Sequence, residues 1–181
     1  MRLALVTDTY PSDVNGVART LGILVEHAAA RGHEVMLVSP KVSEEPAPHA
    51  TRHLQLPGMP IPIYPELQLA RGLGGEGRRM LHDFQPDLVH VATESTVGLS
   101  GRRWAVRNEV PLVTSFHTNF PMYLHDYGMG FVEPLLWRYL AWFHRAALLT
   151  FCPSRDTLAE IRNQGFHPRL RVWGRGVDTE H

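Results

Sequence analysis

The stretch Thr114-Ser115-Phe116-His117-Thr118-Asn119-Phe120 sets a histidine, hydroxyl residues, an amide and aromatics directly after a short apolar run at 110–113. In an open α/β sheet, side chains just past the carboxyl end of a strand face the ligand crevice, so chemistry would be sited here. The alternative is that His117 only caps a strand or hydrogen-bonds a loop carbonyl.

A second constellation follows the first apolar run. Asp8-Thr9-Tyr10-Pro11-Ser12-Asp13-Val14-Asn15-Gly16 leads into a helical pattern. A dinucleotide-binding turn would be shorter, would carry GxGxxG, and would be matched by an acid at the end of the second strand. Here there is one glycine and the second strand ends in Ser39-Pro40-Lys41, which disfavours a dehydrogenase. What remains is a helix N-terminus with a side-chain-free entry, where the amides of Gly16, Val17 and Ala18 can face a phosphate. Asn15-Gly16 reads equally well as a plain helix cap.

Asp8 and Tyr10, past the first strand, either hydrogen-bond a polar acceptor or brace the long turn. Glu94, just beyond the run at 88–91, either contacts a sugar hydroxyl or favours the N-terminus of the following helix. The 11 histidines invite a metal reading. None stands in HExxH or another compact ligand spacing, so no metal ligands are assigned. There is no GxSxG elbow, and Ser154 reads as a helix cap.

The elements that must position these residues alternate along the chain. Apolar β-type runs occur at 3–7, 34–39, 51–56, 88–91, 111–115, 148–151 and 170–173. Between the first two, Val17, Leu21, Leu24, Val25 and Ala28 share one helical face and Gly32 ends it. Further helical patterns span 67–84, 95–108, 131–147 and 154–164. This alternation demands a parallel, Rossmann-like α/β sheet of about seven strands with helices on both faces. Seven of the 14 prolines fall within 40–65. That density excludes helix and most strand, and predicts an extended loop around the third strand, flanking the crevice.

Composition bounds the rest. A chain of 181 residues is about one domain and buries roughly 70% of its unfolded surface. The 18 basic and 18 acidic residues cancel, which argues against a nucleic-acid partner. The single cysteine, Cys152, excludes an internal disulfide and fits a reducing compartment. The first residues lack a signal-peptide core, and charges interrupt the apolar region 131–151, so the reading is cytoplasmic, at most peripheral at the inner face of a membrane. The helical pattern at 131–147 mixes Leu135, Leu136, Trp137, Leu140, Trp142 and Phe143 with Arg138 and Arg145. It suits either a core helix or a membrane contact aided by Arg102, Arg103 and Arg107.

Taken in order, these motifs resemble the amino-terminal half of a retaining, nucleotide-sugar-dependent glycosyltransferase of GT-B type, family four. Asp8-Thr9-Tyr10-Pro11 through Asn15-Gly16-Val17 is similar to the family's first loop. The segment from Thr114 to Pro121, with 123–128 and 133–139, resembles the branch that makes mannosylated or sulfoquinovosyl glycolipids. Gly174-Arg175-Gly176-Val177-Asp178 resembles the crossover to a second domain. The resemblance implies an acceptor-side domain at 1–173 and the start of a crossover at 174–181, with the donor-binding domain beyond it.

It further implies that Gly16 and Val17 approach the donor's phosphates and sugar, and that His117 lies near the reacting bond. Asp8, Tyr10, Glu94, Asn119 and Tyr123 would serve the acceptor. Transfer in this family generally proceeds without a bound metal or other cofactor, and the leaving phosphate helps deprotonate the attacking hydroxyl on the same face, so no dedicated protein nucleophile is implied. The implied partners are a nucleotide sugar and a hydroxyl acceptor such as a lipid, since this branch glycosylates lipids. With half of the active site beyond the chain, these residues alone would not turn over. Two other readings stay open, a non-catalytic α/β ligand-binding module and another GT-B enzyme such as a sugar-nucleotide epimerase.

Overall fold

The computed structural model describes residues 1–10, 16–41, 47–61, 64–70, 72–117, 119, 121 and 130–174. Among these residues nine strands are formed: β1 Arg2–Val6, β2 Glu34–Pro40, β3 Arg52–Leu56, β4 Gly58–Ile61, β5 Tyr64–Ala70, β6 Leu88–Val91, β7 Leu112–Ser115, β8 Leu149–Cys152 and β9 Leu170–Val172. Among the described residues, five α-helices accompany them: α1 Gly16–Ala30, α2 Gly74–Phe84, α3 Thr96–Arg107, α4 Glu133–Arg145 and α5 Arg155–Asn163.

Seven strands form one sheet in the order β3-β2-β1-β6-β7-β8-β9, and every pair in it is parallel. This is the expected Rossmann-like sheet. Successive side chains of a strand point to opposite faces, and parallel strands covered on both faces read as continuous apolar runs. In β1, Leu3 and Leu5 join Leu21, Val25 and Ala28 of α1 in one core. Ala4 and Val6 instead join Leu81 of α2, Val97 and Trp104 of α3, and Phe143 of α4 in the other. Farther along that second face, Phe116 packs with Trp137 and Leu140 of α4 and Ile161 of α5.

The two faces follow from handedness. From β1 the chain winds through α1 to β2, whereas from β6 it winds in the opposite direction through α3, α4 and α5. Right-handed crossovers then place α1 on one face and the later helices on the other. The strand order therefore reverses between β1 and β6, which opens a crevice at their carboxyl ends.

Two expectations fail in the proline-rich region. The predicted loop contains an antiparallel ribbon, β4 paired with β5, its register shifting between Pro60 and Ile61. A two-stranded ribbon has only edge strands, where a missing N–H is tolerated, so proline density does not exclude it. The helix predicted over 67–84 begins only at Gly74, because residues 67–70 complete β5. Gly72 and Gly74 then take φ of 90° and 59°, a left-handed backbone that ends the strand and aims the chain into α2. Among the described residues, no helix is long and apolar enough to cross a membrane.

Candidate functional site

At the end of β1, Thr7 is fully buried and shapes its own turn. Its hydroxyl donates to the Thr9 carbonyl at 2.9 Å and accepts from the Thr9 N–H at 3.2 Å. This leaves Asp8 at the neighbouring strand's end, where its N–H donates to Thr93 Oγ1 at 3.0 Å. The same Thr93 hydroxyl donates to Asp8 Oδ2 at 2.6 Å, and Ser95 Oγ donates to that oxygen as well. Asp8 Oδ1 is buried and accepts no hydrogen bond among the described residues. Burial pushes the Asp8 carboxyl above its ordinary value; the Ser95 and Thr93 hydroxyls pull it back, and nearby Glu94 raises it further.

The loop that supplies Thr93, Glu94 and Ser95 is held by a close approach of α3. A Cβ on Gly98 would stand 1.8 Å from the Thr93 carbonyl oxygen, so only glycine fits there. One turn on, a Cβ on Gly101 would meet both Val6 methyls at 3.0 Å. The two glycines share a helix face and let α3 lie against β1 and the β6 loop.

Glu94 turns its carboxylate inward, with its side chain only 7% exposed and Oε1 3.2 Å from His144 Nε2. Its backbone carbonyl accepts from the Tyr139 hydroxyl at 2.6 Å. His144 is fully buried in α4, and its Nδ1 lies 2.8 Å from Thr114 Oγ1 on β7.

His117 follows β7, the strand next to β6, so Asp8, Glu94 and His117 succeed the ends of three adjacent strands. Strands lie about 4.8 Å apart, which gathers all three at one sheet edge. The His117 ring is 5.9 Å from that of Trp173, with Nε2 buried. Its imidazole is also close enough to His90 to disfavour a second positive charge there.

The remaining predicted residues divide. Gly16 is the first residue of α1 and exposed, and Val17 packs at the rim of the α1 core. Thr20 Oγ1 donates to the Gly16 carbonyl at 2.7 Å. Tyr10 is 7% exposed inside that core, its ring 6.4 Å from His53, and burial pushes its hydroxyl up to about 12. Asn119 Nδ2 donates to both carboxylate oxygens of Glu160 on α5, at 2.9 and 2.8 Å, which ties the loop after β7 to that helix. Tyr123 and Asn15 lie outside the described residues. Ser154 caps α5, accepting from the Thr157 N–H at 3.1 Å, and Cys152 is a buried free thiol. Among the described residues, no group of three or more His, Cys, Asp or Glu converges to hold a metal ion.

Sequence reasoning missed Thr93, Ser95, Gly98 and His144. The first two follow β6 and were readable from the same strand-end rule that found Glu94. Gly98 and Gly101 carried a signal of their own, since small residues three apart in a helix mark close packing. His144 carried none, because it sits on the apolar stripe of α4.

The arginines also separate. Arg102 is structural: its guanidinium stacks 4.1 Å over the Trp142 ring while Nε and Nη2 donate to the Phe143 and Trp142 carbonyls at 2.7 and 3.2 Å. Arg103 and Arg107 instead line a groove of about 780 Å³ between α2 and α3, together with Arg78, Arg79 and His82. On α4, Trp137, Leu140 and Phe143 are core, whereas Leu135 and Trp142 are 66% and 44% exposed; Phe131, just before the helix, is 84% exposed.

The chain is 30% identical over 99% of its length to the GDP-mannose-dependent alpha-mannosyltransferase of Mycobacterium tuberculosis, of which it covers 48%. It is 26% identical, again over 99%, to the sulfoquinovosyl transferase of Arabidopsis thaliana, covering 36% of that protein. It thus spans half or less of the length of these relatives. Among solved structures, the sucrose-phosphate synthase of Thermosynechococcus elongatus matches 98% of the chain with a TM-score of 0.67 at 14% identity, covering 48% of that chain. The UDP-GlcNAc 2-epimerase of Neisseria meningitidis matches 97% with a TM-score of 0.57 at 12% identity, covering 46% of it. These two likenesses establish the shared fold. The sequence match that decides membership is to the family model described as Glycosyltransferase Family 4, which covers residues 14–181, and the chain belongs to that family.

Proposed function

We propose that this chain forms the acceptor-side half of a retaining glycosyltransferase that moves a hexose from a nucleotide sugar to a hydroxyl acceptor, a glycolipid or its precursor. The observation that carries the reading is the buried Asp8 carboxyl at the strand-order reversal, with Oδ1 accepting nothing among the described residues and Glu94 beside it. A buried carboxyl oxygen without a partner is costly unless a ligand supplies the donor, and an acceptor hydroxyl is such a donor. The relatives named for mannosyl and sulfoquinovosyl transfer support the sugar chemistry.

In this reading the acceptor oxygen attacks the anomeric carbon as the bond from that carbon to the phosphate oxygen breaks. The acceptor proton passes to the leaving phosphate, so no protein nucleophile and no metal is needed. Asp8 and Glu94 hold the acceptor, with Asn119 and Tyr123 assigned to the same side. Tyr10 serves it by bracing the turn. His117 lies against the donor sugar and stabilises the charge that develops at the reacting bond. Gly16 and Val17 open α1, a helix of 15 residues, toward the donor phosphates. The nucleotide itself is held by groups in the part of the family's length that this chain does not cover.

The lipid acceptor is supported by the groove between α2 and α3, whose lining carries four arginines and no acid. Exposed Phe131, Leu135 and Trp142 add an apolar surface. Arginines and exposed aromatics suit contact with an anionic membrane surface. Vesicle sedimentation tests this: Arg103→Glu with Arg107→Glu should abolish binding to anionic vesicles, and equal binding to neutral vesicles would refute it.

The transferase reading is tested on a protein carrying this chain together with the remainder of the family's length. A screen of GDP-mannose, UDP-glucose and UDP-sulfoquinovose against diacylglycerol and phospholipid acceptors should give transfer from one donor. His117→Ala should lower that turnover by roughly 10²-fold with little change in folding. A loss of thermal stability with undiminished activity per folded molecule would make His117 structural.

A further inference from the structure

The buried face of the site contains a line of side-chain hydrogen bonds that the transferase reading leaves unused. It starts near the surface, where the Arg169 backbone N–H donates to His167 Nδ1 at 3.1 Å. His167 Nε2 lies 2.9 Å from Thr150 Oγ1, and Thr150 Oγ1 lies 2.8 Å from Thr114 Oγ1. Thr114 Oγ1 lies 2.8 Å from His144 Nδ1, and His144 Nε2 lies 3.2 Å from Glu94 Oε1. Thr114, Thr150 and His144 are all 0% exposed. The line crosses β8 and β7 and ends beside Asp8.

We propose that His144 is a positioning residue for Glu94, and that this line of bonds fixes which of its nitrogens carries the proton. A backbone N–H only donates, so His167 Nδ1 must accept and a neutral His167 carries its proton on Nε2. That proton goes to Thr150. The Thr150 hydroxyl then donates to Thr114, and the Thr114 hydroxyl donates to His144 Nδ1. A neutral His144 then carries its proton on Nε2, where the acceptor is Glu94 Oε1. One carboxylate oxygen is pinned, and Oε2, which accepts no hydrogen bond among the described residues, stays available to an acceptor hydroxyl.

A chain polarised in this way is cooperative, and one broken link frees the histidine to take its other tautomer. Had His144 carried its proton on Nδ1, a bare Nε2 would face the carboxylate, lone pair against lone pair. The role in acceptor binding rests on the transferase reading; the proton position does not.

The test uses nitrogen-15 imidazole spectra of the 181-residue chain. The expected result is a single His144 tautomer with the proton on Nε2 and an acceptor-type Nδ1. Thr150→Val should bring in the second tautomer, and Thr150→Ser should restore the first. A parent protein with the His144 proton on Nδ1, or a Thr150→Val variant with the parent tautomer, overturns the proposal. Should Thr150→Val not fold, the parent spectrum and Thr114→Ser, which keeps the hydroxyl, decide the same point.

In the transferase assay, Thr150→Val should raise the acceptor KM at least fivefold, leave the donor KM within twofold, and recover in Thr150→Ser. An unchanged acceptor KM in a folded Thr150→Val variant overturns the positioning role. An absence of sugar transfer by the parent would refute the transferase reading alone, leaving the tautomer result to judge the hydrogen-bonded line.

Discussion

Acid should destabilise this fold chiefly through His90. The ring is buried on β6, with Nε2 2.7 Å from Ser115 Oγ and its centroid 6.0 and 5.9 Å from those of Phe151 and Trp173. Burial, and then the neighbouring His117 imidazole, push its pKa down to about 3 from an ordinary 6.5. A base whose folded value is depressed takes its proton more readily in the unfolded chain. Its contribution is therefore present above pH 6.5 and is lost as the pH falls toward 3. One proton taken up on unfolding changes stability by about 1.4 kcal/mol per pH unit, so lowering the pH from 6.5 to 5 costs about 2 kcal/mol. That is a large fraction of a typical total stability of about 5–15 kcal/mol. Urea unfolding of the parent and of His90→Gln at pH 5, 6 and 7 measures it. The slope of stability against pH should be shallower in His90→Gln by about 1.4 kcal/mol per unit between pH 5 and 6. The downshifted His53 and His167 are common to both proteins and cancel in the comparison. Equal slopes would refute a neutral, buried His90.

Gly98→Ala should cost about 2–4 kcal/mol in urea unfolding, because a Cβ there must push the Thr93 backbone off α3. The loop carrying Glu94 should move with it, whereas Gly75→Ala, whose Cβ would meet nothing within 4 Å, should leave stability within about 0.5 kcal/mol. In the transferase assay, Gly16→Val should raise the donor KM more than the acceptor KM, since a β-branched side chain would fill the space at the α1 entry. Equal effects on both substrates would mean that Gly16 only shapes the turn.

The main sheet was legible chiefly because strands such as β1 and β2 are apolar runs buried on both faces, whereas edge strand β3 alternates polar residues with buried leucines and edge strand β9 is largely exposed. The ribbon β4–β5 was not, because Pro60 and Pro65 are compatible with a strand only where no ladder partner lies on the far side, a condition set by tertiary context. The true start of α2 was carried by Gly72 and Gly74, whose left-handed conformations the apolar spacing at 67–84 overrode. At the site, Asp8, Glu94 and His117 were findable because strand ends fix where a side chain emerges. Tyr10 and Asn119 lie at the same ends, yet their engagement with the α1 core and with Glu160 depends on packing that spacing does not encode. Arg102 and Arg103 are adjacent and chemically alike, and only the rotation of α3 decides that one stacks on Trp142 while the other lines the groove.

The central claim, that the buried Asp8 carboxyl is kept for an acceptor hydroxyl and not for the fold, is tested most directly by Asp8→Asn. Because the folded carboxyl titrates above its ordinary 3.8, its ionisation opposes folding as the pH rises through the folded value, and a neutral isostere removes that cost. Thermal unfolding at pH 7 and sugar transfer are measured together on the same preparations, in the protein that carries the remainder of the family's length. The prediction is a melting temperature equal to or above the parent's, with turnover lowered roughly 10²-fold, as for loss of a buried polar contact to substrate. A lower melting temperature with undiminished turnover would contradict the account, making Asp8 a brace for the β1 turn.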